Sequence, residues 1–146
     1  MAHAVPASGG AFGRTRTPDF FSPQVHAVAR WAVPAVLGLV YGYWVAANRR
    51  AGGPITTTNF LFGLVTGIVF MLLMVGVLYL APHLKRELHA LLWFTFVGVT
   101  FGFLFIQSAG ATIGGAIALS LAIGAAVGVM VFYWYYTHED AEGHRI

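Results

Sequence analysis

An apolar stretch from Leu88 to Tyr136 constrains this chain most, because it contains no Asp, Glu, Lys or Arg. One helix needs only about 20 residues to cross the hydrocarbon core of a bilayer, so the stretch is too long for a single span. Its one cluster of polar and small residues is Gln107–Gly110. This cluster predicts a break that leaves two membrane spans, 88–106 and 113–136.

Two further apolar runs precede this stretch and predict spans at about 25–47 and 60–81. Ser22 followed by Pro23 is typical of a helix start, with Ser22 as the N-cap and Pro23 at the first helical position. Asn59 is the expected cap of the second span. The runs show no alternation of period two, and a bilayer admits only helices or closed barrels, so all four spans are expected to be helical.

The predicted fold is an all-α integral membrane four-helix bundle with up-down-up-down topology and short loops. Only 9% of the residues are charged and 58% are hydrophobic, which a soluble domain of this size would not tolerate. Residues 1–22 have the composition of a disordered cytoplasmic tail, 23–137 form the transmembrane domain, and 138–146 form a polar tail. The lipid bilayer is therefore the first expected partner.

Lys and Arg are distributed unequally between the two sides of this topology. The loop after the first span carries Arg49 and Arg50, and the side that holds both termini carries the other six, Arg14, Arg16, Arg30, Lys85, Arg86 and Arg145. The positive-inside rule predicts that both termini lie in the cytoplasm and that the protein resides in the cell (plasma) membrane, as a multi-pass inner-membrane protein would. The Arg49-Arg50 pair is a counter-signal to this orientation.

Residues that could perform chemistry are few. No Asp, Glu, Lys, Arg or His is expected at membrane depth, and the chain contains no cysteine. It offers no Ser–His–Asp arrangement and no phosphate-binding glycine loop, so we expect no catalytic residue, no cofactor and no enzyme. The net charge of +3 reflects the scarcity of acids rather than a basic surface, which argues against nucleic acid as a partner.

A metal site is the remaining chemical possibility, and the spacing of the histidines argues against it. His83, Glu87 and His89 lie on the turn before the third span, and the C-terminal tail adds His138 and His144. Those two tail histidines are six residues apart, which matches neither helical nor finger-type ligand spacing. No metal site is therefore expected.

Small residues at four-residue spacing are the strongest local signal. A four-residue step keeps such residues on one helix face and lets two helices approach closely in lipid. Span four has two such ladders, Gly114-Ala118-Ala122-Ala126 and Ala116-Ser120-Gly124-Gly128, which predict two close neighbours. The expected helix-packing residues are Gly38, Gly42, Gly63, Gly67, Gly98, Gly102, Ala118, Ala122, Gly124 and Gly128.

These features favour a non-enzymatic membrane protein that acts by assembly. It would assemble with itself as a homo-oligomer, or serve as an accessory subunit of a membrane protein partner. The alternative is a small oligomeric channel or facilitator for an uncharged or weakly charged solute. The side chains available to line such a pore are Tyr41, Tyr43, Thr66, Thr100, Gln107 and Ser120.

Overall fold

The computed structural model describes residues 22–138, and residues 1–21 and 139–146 lie outside the described part, together with the tails expected there. The described part contains four α-helices and one short 3-10 helix. They are α1 (Pro23–Arg50), α2 (Thr57–Leu80), the 3-10 turn (Ala81–His83), α3 (Arg86–Ile106) and α4 (Ile113–His138). Each of the four α-helices is long and apolar enough to cross a membrane, and the predicted all-α fold is confirmed.

The starts of the first two helices are set by local hydrogen bonds. Ser22 caps α1 as predicted, because its hydroxyl accepts from the Val25 amide at 3.4 Å and Pro23 occupies the first turn. The prediction that Asn59 caps α2 is wrong. Thr56 holds that position in extended backbone, and its hydroxyl accepts from the Asn59 amide at 3.2 Å.

The helices extend beyond the apolar runs at several ends. Helix α1 continues to Arg50, and the chain leaves it at Ala51 in the left-handed conformation, with φ 47°. Helix α4 continues to His138, which was expected in the tail. The Thr137 hydroxyl donates to the Tyr133 carbonyl at 3.0 Å, within the last turns of this helix. Polar residues at the helix ends thus lengthen the helices beyond the apolar runs that hydropathy identifies in the sequence.

Consecutive helices pack as two antiparallel hairpins, α1 with α2 and α3 with α4, which we name the first and second hairpins. The two hairpins meet where Tyr41 of α1 stacks on Phe70 of α2, with ring centroids 4.6 Å apart, and Phe70 contacts Phe96 of α3 at 5.5 Å. The Tyr41 hydroxyl donates to the Thr100 carbonyl at 2.8 Å. Within the described residues α4 packs against α3 alone, so one side of α4 faces away from the molecule.

Candidate functional site

Four of the predicted glycines allow the backbones of α1 and α2 to contact each other in the first hairpin. A Cβ added at Gly38 would lie 2.6 Å from the Gly67 carbonyl oxygen, and one added at Gly42 would overlap the Gly63 carbonyl oxygen. Gly63 and Gly67 show the reciprocal contacts with α1. A Cβ at these positions would collide with backbone, which cannot move aside as a side chain can. Only glycine therefore permits α1 and α2 to lie this close together.

The second hairpin uses glycine differently. A Cβ at Gly98 would lie 2.7 Å from the Ser120 carbonyl oxygen, and one at Gly102 would overlap the Ser120 hydroxyl. On the other helix, Gly124 faces the carbonyl and ring of Phe94, and Gly128 faces the Phe94 Cβ at 3.0 Å. The glycines of α3 and α4 therefore accommodate Ser120 and Phe94, whereas those of the first hairpin face each other.

Helix α4 presents its two small-residue ladders to opposite sides. The ladder that contains Ser120, Gly124 and Gly128 packs against α3. The other ladder is exposed, and a Cβ at Gly114 would have no atom within 4 Å. Of the two neighbours expected for span four, the described residues supply one. We name the exposed ladder the α4 small-residue face, formed by Gly114, Ala118, Ala122 and Ala126.

A long apolar groove runs along the first hairpin on the side away from α3. Its floor contains the four packing glycines, and it continues along α1 from Ala35 to Arg50. Large exposed side chains border it, and the cavity measures about 370 Å³. We name this feature the hairpin groove; the bordering residues that matter below are Leu39, Tyr43, Leu64 and Ile68.

His89 forms a polar contact inside an aromatic pocket between the two helices of the second hairpin. It lies in the first turn of α3, at the start of the span predicted over 88–106, and is only 7% exposed. The Trp93 indole N–H donates to His89 Nε2 at 3.1 Å, and the Tyr135 ring lies 4.4 Å from the imidazole centroid. An indole only donates, so Nε2 carries no proton in this arrangement.

Most of the hydroxyls considered for a pore are bonded to backbone. The Thr66 hydroxyl donates to the Phe62 carbonyl at 2.7 Å and the Thr100 hydroxyl to the Phe96 carbonyl at 2.6 Å. Both bonds return to the preceding turn of the same helix, a common arrangement for threonine within a span. These two hydroxyls therefore donate within their own helices.

The histidines on the turn before α3 do not gather with acids. His83 Nδ1 lies 2.9 Å from the Tyr79 carbonyl oxygen, and Glu87 forms an ion pair with Arg86 at 2.9 Å. Between residues 22 and 138 no group of three His, Asp or Glu side chains could hold a metal ion. His144 and the acidic residues of the C-terminal tail lie outside the described part.

Comparison of the chain with protein-family models, with curated proteins and with solved structures gives no match.

Proposed function

We propose that this protein is a non-enzymatic multi-pass protein of the cell membrane that acts by self-assembly. In this proposal both termini lie in the cytoplasm, and a second copy packs on the α4 small-residue face. An accessory role beside another membrane protein would use the same face. The observation that carries the proposal is that α4 packs against α3 alone within the described residues, while its second ladder is exposed.

The physics of helix association in lipid supports this choice of surface. Lipid tails are as apolar as leucine, so burying large side chains against a neighbour brings little gain, and close packing of small residues is a principal drive. The side chain at Ala122 ends at Cβ, as does that at Ala118 one turn away, so a partner backbone could approach closely. On its other side α4 already approaches α3 closely, where Gly124 faces the Phe94 carbonyl and Gly98 of α3 faces the Ser120 carbonyl.

The channel alternative receives less support from the described residues. Tyr41 and Thr100 bond to backbone carbonyls where the two hairpins meet, and Thr66 bonds to its own helix. A pore between copies would need polar groups on the exposed faces, and the α4 small-residue face has none. Self-assembly without conduction is therefore the function that we propose.

Leucine substitution on α4 tests the proposal. Ala122→Leu would fill the face with additional methylene groups, and overpacking of this kind costs about 1–3 kcal/mol. We expect the purified parent to be oligomeric by light scattering in mild detergent and Ala122→Leu to shift toward the monomer. Leu121→Ile, a size-matched change on the neighbouring exposed position, should retain the oligomer. A monomeric parent, or an oligomer unchanged by Ala122→Leu, would contradict the proposal.

A further inference from the structure

We propose that the hairpin groove binds an anionic lipid, with one acyl chain lying along the glycine floor and the lipid phosphate bound by Arg50. This site is on the first hairpin and is independent of self-assembly through α4. The groove has the shape of an acyl-chain site, one arginine lies at its end, and no acid within residues 22–138 pairs with that arginine.

The groove has the length and polarity of an acyl chain. It follows α1 from Ala35 to Arg50, and at 1.5 Å per residue this interval is about 22 Å long. Half of the hydrocarbon core is about 15 Å thick, so the groove can hold the chain of a lipid from one leaflet along its whole depth. Its lining is almost entirely apolar except at the end formed by Arg50 and Asn59.

The exposed side chains that border the groove favour an acyl chain over a protein helix as its occupant. The glycine floor lies below exposed side chains of both helices, including Leu39 and Tyr43 on α1 and Leu64 on α2. A helix with its side chains is about 10 Å wide, so it would rest on these side chains and leave the floor uncovered. A flexible hydrocarbon chain can fill the space between them, which closes the cavity.

Charge at the end of the groove selects an anionic headgroup. Arg50 is half-buried, and its Nη1 donates to the Gly53 carbonyl at 3.4 Å. The one ion pair within residues 22–138 joins Arg86 to Glu87, so no described carboxylate neutralises Arg50. A guanidinium matches the geometry of a phosphate with two parallel hydrogen bonds. The phosphodiester of an anionic lipid thus suits both the charge and the adjoining groove.

Arg49 provides a matched control in the same last turn of α1. It carries the same charge one residue earlier, but its guanidinium lies over the Phe62 ring, 4.0 Å from the ring centroid, and neither residue lines the groove. General attraction between a positive loop and an anionic surface would depend equally on both arginines. Binding in the groove would depend on Arg50 much more than on Arg49.

Lipid competition on the full-length protein tests this proposal. The protein is placed in nanodiscs that contain phosphatidylcholine with a minor fraction of spin-labelled phosphatidylglycerol or spin-labelled phosphatidylcholine. The motionally restricted fraction of each label then gives the relative affinity. We expect the parent to prefer phosphatidylglycerol, Arg50→Gln to reduce that preference about five-fold, which corresponds to about 1 kcal/mol, and Arg49→Gln to leave it nearly unchanged.

A groove-filling variant distinguishes the acyl-chain site from surface attraction. Ala35→Phe places a ring in the far end of the groove and should reduce the restricted fraction, whereas Ala32→Phe on the exposed surface of α1 should not. Equal effects of Arg49→Gln and Arg50→Gln would overturn the proposal, and so would an absence of preference in the parent. If Ala35→Phe instead splits an oligomer, a second copy occupies the groove and the lipid proposal fails. Failure of either kind leaves the Ala122→Leu test of assembly unaffected.

Discussion

At the residue scale, the contact between His89 and Trp93 is the least expected feature of the structure. The predicted topology puts every histidine on the cytoplasmic side and says nothing of which neighbours His89 contacts there. His89 lies in the first turn of α3, where Trp93 and Tyr135 contact its imidazole. A signal for this contact is present in the sequence, since His89 and Trp93 are four residues apart and such residues are neighbours on a helix.

Removing the acceptor of this hydrogen bond should destabilise the protein. His89→Leu leaves the Trp93 indole N–H without its acceptor in a partly buried site, which costs about 1–3 kcal/mol. We expect a lower free energy of unfolding, measured by denaturation in mixed micelles. In a double-mutant cycle, Trp93→Phe should cost less in the His89→Leu background than in the parent. Additive costs would mean that the two side chains do not interact.

At the element scale, backbone approach between α1 and α2 defines the first hairpin. Hydropathy predicted where the four spans lie, because apolar length is a local property of the chain. The facing residues of two helices depend on loop geometry, which a periodic pattern does not specify. Gly38 thus faces Gly67, whereas Gly98 faces Ser120, although both belong to equivalent glycine pairs. For the same reason, the sequence did not show which ladder of α4 would face α3.

Alanine substitution of two glycines in the first hairpin should distinguish the effect of helix packing on stability from that of helix propensity. Gly42→Ala would bring a methyl group onto the Gly63 carbonyl, so the helices must separate, at a cost of about 1–3 kcal/mol. Gly76 is also helical, but an added Cβ there has no atom within 4 Å. We expect Gly42→Ala to lower the unfolding free energy and Gly76→Ala to maintain or raise it. Equal behaviour of the two variants would contradict the close backbone contact.

At the scale of the whole molecule, two antiparallel hairpins place both ends of the described part on one side of the membrane. The distribution of Lys and Arg favours the cytoplasm for that side, with the Arg49-Arg50 pair as the opposing signal. The even number of spans therefore places both ends on the same side, and the distribution of charge indicates which side that is. The compartment depends on a modest charge imbalance in loops that the fold itself does not distinguish.

Single cysteines can report this orientation, because the chain has none of its own. We expect an impermeant thiol reagent added to intact cells to label Thr57→Cys, which lies at the start of α2, and to leave Ser8→Cys and Gly143→Cys unlabelled. Permeabilised cells should label all three variants and thereby show that each cysteine can react. If only Ser8→Cys and Gly143→Cys were labelled in intact cells, the termini would lie outside the cytoplasm, and the predicted orientation would be wrong.

Packing of a second copy on the α4 small-residue face can be tested by disulfide cross-linking in native membranes. A disulfide forms readily only when two Cα atoms lie about 4.4–6.8 Å apart, a distance that face-to-face packing of small residues provides. Oxidation should therefore convert Ala122→Cys to a covalent dimer, whereas Leu121→Cys on the neighbouring exposed position should remain monomeric. An Ala122→Cys variant that remains monomeric, or equal cross-linking at both positions, would contradict assembly through this face.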